Sequence, residues 1–293
     1  MRVLVLGSKG QLGRCLSDQL NNTDFEITQT SRAEIDIGDL GATKDKILII
    51  NPSVVINATA YTAVDKAEDD QQAADLINHL AVANLASICN QLGCWLVHVS
   101  TDYVFDGMSL RPYHEDDQTN PQGVYGDTKL KGERAIQASG CKHLILRTAW
   151  VFSEYGNNFL KTMIRLGAER DELSIVGDQI GCPTYAQDIA GSIVAMLPSL
   201  ESRILTSGVL HYCGDSPVSW FEFAEEIFSE ARKLGLKTPS LLHSIETSAY
   251  PTLAARPAYS VLDCSKITAN FGIHSSDWRQ GIRQVLDKLQ SQN

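Results

Sequence analysis

Residues 1–16 read MRVLVLGSKGQLGRCL, and this stretch decides the fold. Its apolar run, residues 3–6, is typical of a strand that is buried on both faces, and the run ends at Gly7. Gly10 and Gly13 follow at intervals of three, and an apolar repeat with helical spacing comes after them. A buried strand, a glycine turn and a helix predict the first βαβ unit of a dinucleotide-binding domain.

Each glycine of this turn meets a physical need of such a site. Gly7 lets the chain turn sharply off the strand, Gly10 lets the backbone approach a pyrophosphate, and Gly13 lets the helix pack closely on the sheet. The N-terminus of the helix then offers free N–H groups to the phosphates. An ordinary strand-to-helix turn is the alternative. The spacing G-x-x-G-x-x-G differs from the G-x-G-x-x-G of many dehydrogenases and resembles the extended short-chain dehydrogenase/reductase superfamily.

The composition of the chain limits the kinds of binding partner and the cellular compartment that we expect for the protein. The chain has 293 residues, of which 43% are hydrophobic, so it can form one large α/β domain or two closely packed ones. The net charge is −10, and the sequence contains no basic stripe. We therefore expect no nucleic-acid partner. Neither a secretion leader nor a membrane span is indicated, which predicts a cytoplasmic protein. The seven cysteines form no C-x-x-C pair and no metal-ligand spacing with histidines, so we expect buried, reduced thiols and no metal site among them.

The order of predicted elements favours a Rossmann-type, doubly wound parallel sheet. Apolar runs predict strands at residues 3–6, 25–30, 54–57, 95–99 and 143–147, with helices between them; one long helix is predicted from about residue 67 to residue 92. The dinucleotide-binding domain is expected over residues 1–150. Residues 151–293 are expected to form mainly a smaller C-terminal substrate-binding lobe, with segments such as VLHYC at 209–213 returning to the main sheet.

Two further stretches indicate how a cofactor is held. The tip of the second strand reads Thr30-Ser31-Arg32 and lacks the carboxylate that binds the ribose 2′-hydroxyl in NAD-preferring enzymes. Ser31 and Arg32 could bind a 2′-phosphate instead, which favours NADPH; the alternative is that Arg32 is a solvated loop cation. Asp36 could approach the adenine. The third strand ends in the small residues 58–60, which leave room for a cofactor.

The residues with catalytic potential follow the fourth strand. Thr101 and Asp102 stand at its end, and Tyr125 and Lys129 are four residues apart, on the same side of a predicted helix. A free tyrosine has a pKa of about 10, and a nearby lysine cation favours the phenolate. Tyr125 could protonate a carbonyl oxygen as hydride arrives, while Thr101 hydrogen-bonds the same oxygen. The alternatives are a surface tyrosine on a lysine stem and an Asp102 that only caps a turn.

A set of motifs resembles the dTDP-4-dehydrorhamnose reductase family over nearly the whole chain. These motifs are GxxGxxG with Gln11, NATAYTAVDKAE (57–68), STDYVFDG (100–107), VYGDTK (124–129), RTAWVF (147–152), GNNF (156–159), DQIGCPT (178–184) and AARPAYS (254–260). The resemblance implies reduction of the 4-keto group of dTDP-4-dehydro-6-deoxy-L-mannose to dTDP-L-rhamnose, the last step of dTDP-rhamnose supply. It also implies NADPH or NADH as the cofactor, and a homodimer.

The resemblance assigns roles to individual residues. The catalytic set is Tyr125 as proton donor, Lys129 as its partner, and Thr101. The substrate set is Thr101, Asp102, Tyr103, Trp150 and Arg256, of which Arg256 could instead be a surface arginine. With the residues argued above, the cofactor set is Gly7, Gly10, Gln11, Leu12, Ser31, Arg32, Asp36, Ile37, Ala58, Thr59, Ala60, Tyr125 and Lys129.

The chain also departs from the family pattern, and other functions stay open. Thr59 stands where the family usually has alanine, and Cys15 is not a carboxylate, although members are described as using Mg²⁺ at a subunit contact. Metal dependence is therefore open. One alternative function is a non-catalytic NADP-binding regulatory subunit of the same fold, against which the intact Tyr125 argues. Another is a nucleotide-sugar epimerase or dehydratase; a dehydratase needs an Asp-Glu pair after Thr101, where this chain has Asp102-Tyr103.

Overall fold

The computed structural model describes residues 1–201 and 207–291. The strands are β1 (Arg2–Leu6), β2 (Glu26–Thr30), β3 (Val54–Asn57), β4 (Trp95–Thr101), β5 (Lys142–Thr148), β6 (Val151–Phe152), β7 (Glu172–Val176), β8 (Ile180–Gly181), β9 (Thr184–Tyr185), β10 (Gly208–His211), β11 (Val218–Ser219) and β12 (Leu241–Ile245). The α-helices are α1 (Gln11–Leu20), α2 (Leu40–Ile50), α3 (Val64–Asp69), α4 (Gln71–Asp75), α5 (Ala81–Leu92), α6 (Val124–Ala138), α7 (Phe159–Glu169), α8 (Ala186–Glu201), α9 (Trp220–Lys233), α10 (Ser265–Phe271) and α11 (Trp278–Ser291).

Six parallel strands form the main sheet in the order β2-β1-β3-β4-β5-β10. Alternate residues of the strands enter two separate apolar cores, one shared with α1 and α8 and the other with α2 and α5. This is the doubly wound arrangement that the sequence predicts. Strand β2 lies on one side of β1 and β3 lies on the other. The switch point of the sheet is therefore between β1 and β3.

The chain beyond residue 150 builds a third apolar core around α7, α9 and α11. Three two-stranded pairs, β6 with β9, β7 with β12 and β8 with β11, accompany these helices. Strand β10 lies beside β5 in the main sheet instead, through residues 208–211. The division of the chain at residue 150 stays a prediction.

The single long helix expected over residues 67–92 is confirmed only in part. A break at Asp70 separates α3 from α4, and the chain is then helical from α4 through a π-helical turn, Leu76–Leu80, to the end of α5 at Leu92. The wide turn directs the buried Asn78 toward the end of β3, where its amide exchanges two hydrogen bonds with the backbone of Tyr61 and a third with Thr128 of α6. These tertiary contacts, which no local periodicity encodes, accompany the π-helical turn.

The described helices and cysteines add two observations. No helix within residues 1–201 and 207–291 combines the length and apolar character needed to span a bilayer. All seven cysteines are buried and free, as the sequence predicts.

Candidate active site

A cleft opens at the switch point, beyond the carboxyl ends of β1 and β3. It is lined by Gly7, Lys9, Gly10, Arg32, Ile35, Asp36, Ile37, Ala58, Thr59, Ala60, Tyr61 and Ile77. Eight of these residues belong to the predicted cofactor set. The other four, Lys9, Ile35, Tyr61 and Ile77, are outside the predicted set, and Lys9 adds a cation inside the glycine turn. A lysine between two turn glycines is the signal that could have identified it.

The glycine turn has the shape of a phosphate cradle. Gly7 has φ of +87°, and a Cβ there would lie 2.8 Å from the Thr59 side chain. A Cβ on Gly13 would lie 2.1 Å from the Gly7 carbonyl oxygen, so the helix packs closely on the turn. Helix α1 begins after Gly10 with no side-chain cap and no acidic residue in its first turn. Its free N–H groups therefore fit the pyrophosphate of a dinucleotide.

The tip of β2 carries a carboxylate that the sequence prediction did not consider. Glu34 accepts hydrogen bonds from the backbone N–H and the hydroxyl of Ser31, each 2.8 Å long. These bonds, with help from Lys9, hold the pKa of Glu34 below its usual range. Arg32 is exposed and donates to Asp36 over 3.1 Å. The Ser31 hydroxyl is thus already engaged, and Arg32 and Lys9 are the cations available to a 2′-phosphate.

Gln11 and Leu12 hold the helix in place with their side chains instead of lining the cleft. The Gln11 amide donates to the Val151 carbonyl over 3.3 Å and accepts from Asn158 over 2.8 Å. Leu12 packs against the apolar core. Only the backbone of these two residues remains for cofactor contact, at the N-terminus of α1.

Helix α6 carries the predicted tyrosine and lysine. Tyr125 is half-buried; burial raises the pKa of its hydroxyl more than the nearby Thr101 hydroxyl lowers it, and Asp102 raises it further. Lys129 is buried, donates to the Val99 carbonyl over 2.7 Å and lies 3.3 Å from His98. The lysine is not among the groups that shift the Tyr125 pKa. The role of Lys129 as the partner of Tyr125 stays a prediction, and burial favours the protonated form of the Tyr125 hydroxyl.

The end of β4 brings polar groups up to this tyrosine. The Thr101 hydroxyl donates to Asp102 Oδ1 over 2.9 Å and accepts the Tyr103 N–H over 3.2 Å. Asp102 is buried, and within the described residues its Oδ2 has no hydrogen-bond partner. Burial raises the pKa of Asp102 to about 6. The Tyr103 ring lies edge-on to Tyr125, with 5.5 Å between centroids.

Trp150 and Arg256 are the remaining residues of the predicted substrate set. Trp150 adopts a φ of +46° and stacks on Trp220 with 3.5 Å between ring centroids. Arg256 forms an ion pair with Asp65 and lies 3.4 Å from the Tyr103 hydroxyl. The guanidinium is thus linked to Tyr125 through the Tyr103 ring, and it does not project freely into solvent.

Position 15 does not supply a ligand for the magnesium site that the family resemblance implies at a subunit contact. No group of three or more His, Cys, Asp or Glu side chains that could hold a metal ion occurs in the described parts of the chain. Cys15 is buried, and burial raises the pKa of its thiol above the ordinary value, with the nearby Glu154 adding to the shift. A protonated thiol in an apolar core is not a magnesium ligand.

The comparisons with known proteins agree with this architecture. The family described as "RmlD substrate binding domain" matches residues 1–291. The dTDP-4-dehydrorhamnose reductase of Aggregatibacter actinomycetemcomitans is 42% identical over 287 residues, which are 97% of this chain and 98% of that protein. The crystal structure of a dTDP-4-dehydrorhamnose reductase from Clostridium acetobutylicum superposes with a TM-score of 0.92 at 37% identity, covering 99% of this chain and 100% of that one.

A second solved structure carries a cofactor. The dTDP-4-dehydrorhamnose reductase of Bacillus anthracis, solved in complex with NADP, superposes with a TM-score of 0.90 at 34% identity, covering 98% of this chain and 99% of that one. Because similarity extends over the full length in both sequence and fold, the chain belongs to the dTDP-4-dehydrorhamnose reductase family.

Proposed function

We propose that the chain is an NAD(P)H-dependent reductase that converts the 4-keto group of dTDP-4-dehydro-6-deoxy-L-mannose to the alcohol of dTDP-L-rhamnose. One observation carries the proposal. The Tyr125 and Thr101 hydroxyls lie close together at the same edge of the sheet as the nucleotide cleft. Membership of the family supports the choice of substrate.

The bound cofactor supplies the hydride that adds to C4 of the sugar. The Tyr125 hydroxyl gives its proton to the ketone oxygen, which becomes the new alcohol. Burial of Tyr125 serves this step, because it keeps the hydroxyl protonated until a substrate oxygen arrives. The Thr101 hydroxyl can turn from Asp102 toward the same oxygen and stabilise the charge that develops there.

The remaining substrate contacts are part of the same proposal. Trp150 forms an aromatic wall that suits a sugar ring, and Arg256 offers a guanidinium to the diphosphate. Arg256 begins from a pair with Asp65, so the diphosphate must share or replace that partner. Asp102 and Tyr103 flank the sugar. The cofactor set would hold NADPH, with Gly10 available to the pyrophosphate and Arg32 available to the 2′-phosphate.

The test measures loss of NADPH absorbance with the keto-sugar generated in situ. We expect turnover to dTDP-L-rhamnose by the wild type, and a loss of about 10²–10⁴-fold in kcat for Tyr125→Phe, because the general acid is removed. NADPH binding by the variant, followed by fluorescence, should be unchanged. A wild type that binds NADPH and consumes none contradicts the proposal and favours the regulatory subunit. Tightly bound NAD in the purified protein would favour an epimerase.

Three coarser features are proposed with this function. Residues 1–150 bind the cofactor and residues 151–293 mainly bind the sugar nucleotide. The protein is a cytoplasmic homodimer, which light scattering at micromolar concentration would test. NADPH is preferred over NADH, for which the exposed cation of Arg32 is the support.

A further inference from the structure

Trp150 has a backbone conformation that a bulky side chain rarely adopts. Its φ is +46°, and Asn51 is the one other non-glycine residue with positive φ within residues 1–201 and 207–291. Asn51 follows helix α2, where an asparagine commonly takes the left-handed conformation, whereas the same conformation is strained for a tryptophan. Strained residues persist only where their surroundings hold them, and they cluster at functional sites. The neighbours of Trp150 are therefore candidates for a role in the site.

Trp220 covers one face of the Trp150 indole. The two rings are 6° from parallel, with 3.5 Å between their centroids. Trp220 is the first residue of α9, and a capping box formed by Ser219 and Glu222 fixes the start of that helix. The centroid of the Phe159 ring lies 4.6 Å from that of the Trp220 ring. Trp220 is thus held by its own helix cap and by an aromatic neighbour.

Gly181 lies against the opposite face of the indole. A Cβ on Gly181 would be 2.4 Å from Cε2 of Trp150, 2.6 Å from Nε1 and 2.7 Å from Cζ2. Because Cε2 is bonded to the other two atoms and is the nearest of the three, this Cβ would stand over the flat of the ring and not at its edge. The stacked Trp220 ring leaves no room on its own side, so Gly181 is on the other. Any side chain at position 181 would displace the indole.

The strand pairs hold this arrangement together. Strand β8 pairs antiparallel with β11, so Gly181 and the start of α9 belong to one small sheet. The Trp150 carbonyl accepts the N–H of Thr184 over 3.1 Å, next to the pairing of β6 with β9. The Trp150 side chain packs against two apolar cores, the one shared with α1 and α8 and the one around α7, α9 and α11. The indole is therefore fixed at the junction of these two cores.

We propose that Trp220 and Gly181 are positioning residues that clamp the Trp150 indole in one orientation, and that this orientation is the one in which Trp150 meets the sugar of the substrate. The proposal rests on the proposed function, because the sugar contact of Trp150 is part of it. Neither Trp220 nor Gly181 belongs to the predicted substrate set. A side chain that is already held loses little freedom when the sugar binds, so the clamp lowers the entropic cost of binding.

The first test detects the clamp in the protein without cofactor or substrate. The Nε1–H groups of the four tryptophans give separate signals in a ¹H–¹⁵N spectrum, each assigned by its absence when that tryptophan is replaced by phenylalanine. The Trp220 ring shields protons that lie over its face. We therefore expect the Trp150 signal to move downfield in Trp220→Leu, while the signal of Trp95, in β4, stays in place. An unmoved Trp150 signal overturns the proposal.

Gly181→Ala tests the opposite face of the indole by the same method. The added methyl would lie 2.4 Å from the ring, so the indole must move, and we expect the Trp150 signal to shift. Gly208→Ala is the matched control, because within the described residues nothing lies within 4 Å of a Cβ at that strand glycine. It should move no tryptophan signal. A folded Gly181→Ala protein with an unshifted Trp150 signal overturns the proposal.

Kinetics test the consequence for the substrate. We expect Trp220→Leu and Gly181→Ala to raise KM for the keto-sugar about tenfold with a smaller loss of kcat, because binding is disturbed and proton transfer is not. NADPH binding, followed by fluorescence, should be unchanged. Trp220→Phe keeps a flat ring against Trp150 and should restore most of the affinity. A loss that falls mainly on kcat, or equal losses in Trp220→Phe and Trp220→Leu, overturns the proposal.

Two control variants separate the clamp from a general disturbance of the same elements. Phe221→Leu removes the next aromatic residue of α9, which packs against the third core, and Gly208→Ala adds a methyl where there is space. Both should keep KM close to that of the wild type. Thermal unfolding shows whether each variant is folded. A rise in KM in either control as large as in Trp220→Leu would assign the effect to the fold and overturn the proposal.

A double-variant cycle shows whether both residues act through Trp150. In a Trp150→Leu background the indole is absent, so adding Trp220→Leu or Gly181→Ala should raise KM little further. Effects that multiply overturn the proposal. A wild type that turns over no keto-sugar contradicts the proposed function, whereas the spectra of the ligand-free protein decide separately whether the clamp exists.

Discussion

Helix α6 carries two buried side chains of opposite charge type, Lys129 and Glu133, one turn apart in contrasting surroundings. Glu133 forms a two-pronged ion pair with Arg147: the Arg147 Nε donates to Glu133 Oε1 over 3.0 Å, and the Arg147 Nη2 donates to Glu133 Oε2 over 2.7 Å. The Ser100 hydroxyl also donates to Glu133 Oε1. The ammonium position of Lys129 contacts a carbonyl and an imidazole, and within residues 1–201 and 207–291 it forms no ion pair with a carboxylate, although Glu133 acts on it at longer range. The same helix thus holds one ion with a direct ion pair and one without a paired carboxylate in the described structure.

The difference indicates what each position is for. A buried charge with a full set of partners fixes a helix against the sheet, and here it joins α6 to β4 and β5. A buried lysine without a counter-ion weakens the fold, so its presence points to chemistry that needs a shifted pKa. Asp102 resembles the lysine in being buried with a shifted pKa, and one of its oxygens has no hydrogen-bond partner among the described residues. Four substitutions test the contrast.

The largest effect on stability is expected for Glu133→Gln. The variant keeps the shape of the side chain but leaves Arg147 buried without its charge partner. Removing one member of such a pair typically costs about 3–5 kcal/mol in the free energy of unfolding. Urea unfolding at pH 7 measures the loss.

Asp127→Asn is the matched control on the same helix. Asp127 pairs with Lys131 over 2.8 Å, but both side chains are about half exposed. Its removal should change the free energy of unfolding by less than about 1 kcal/mol. Equal losses in the two variants would mean that the buried pair is not the anchor described above.

Lys129→Met is expected to raise the free energy of unfolding instead of lowering it. Because the folded state lowers the lysine pKa from 10.5 to about 8, the protonated side chain costs stability below pH 8. A shift of this size corresponds to a gain of about 3 kcal/mol for the variant at pH 7. The gain should shrink as the pH rises from 8 toward 10.5, where the lysine is neutral in the folded state. Activity should fall at the same time.

Urea unfolding of the wild type and Lys129→Met at pH 7 and pH 9.5 measures this difference. Lys131→Met, at an exposed position of the same helix, is the control. A Lys129→Met protein that is less stable than the wild type at pH 7 would show that the lysine is a structural residue after all.

A smaller increase in the free energy of unfolding is expected for Asp102→Asn. The raised pKa of about 6 means that the folded state holds this proton more tightly than the unfolded state, so ionisation lowers stability as the pH rises from about 4 to 6. The amide cannot ionise, and we expect the variant to be about 1–2 kcal/mol more stable at pH 8, since its Nδ2 stays partly unsatisfied. Unfolding at pH 4 and pH 8 gives the comparison. If the difference in unfolding free energy between Asp102→Asn and the wild type were the same at pH 4 and pH 8, ionisation of Asp102 would not be its cause.

Much of the site could be predicted because its residues follow strand ends. The turn after β1 and the small residues after β3 are adjacent to their strands in sequence, and parallel strands bring their carboxyl ends to one edge. Strand ends and the family resemblance together identified eight of the residues that line the cleft. The position of Tyr125 and Lys129 on one helix follows equally from a spacing of four residues.

The directions of side chains could not be predicted, because tertiary contacts decide them. Gln11 points to the Val151 carbonyl, and Glu34 folds back on Ser31. Asn57 meets His98 only because the register of β3 against β4 aligns them, and no spacing in the sequence encodes that register. Lys129 reaches His98 and the Val99 carbonyl. The sequence identified the chemical groups, whereas packing set their partners.

The smallest effect is expected where the charge is exposed, at Arg32. Its side chain is 84% exposed and pairs with Asp36, so removal should leave stability within about 1 kcal/mol of the wild type. If the guanidinium meets the 2′-phosphate, Arg32→Ala should weaken NADPH binding by about tenfold and leave NADH binding unchanged, because only NADPH carries that phosphate. Titration of both cofactors by fluorescence measures the ratio, and Arg14→Ala, in the helix after the turn, is the control. Equal weakening of both cofactors would assign Arg32 to the loop itself, whereas unchanged binding of both would leave Lys9 as the cation that recognises the phosphate.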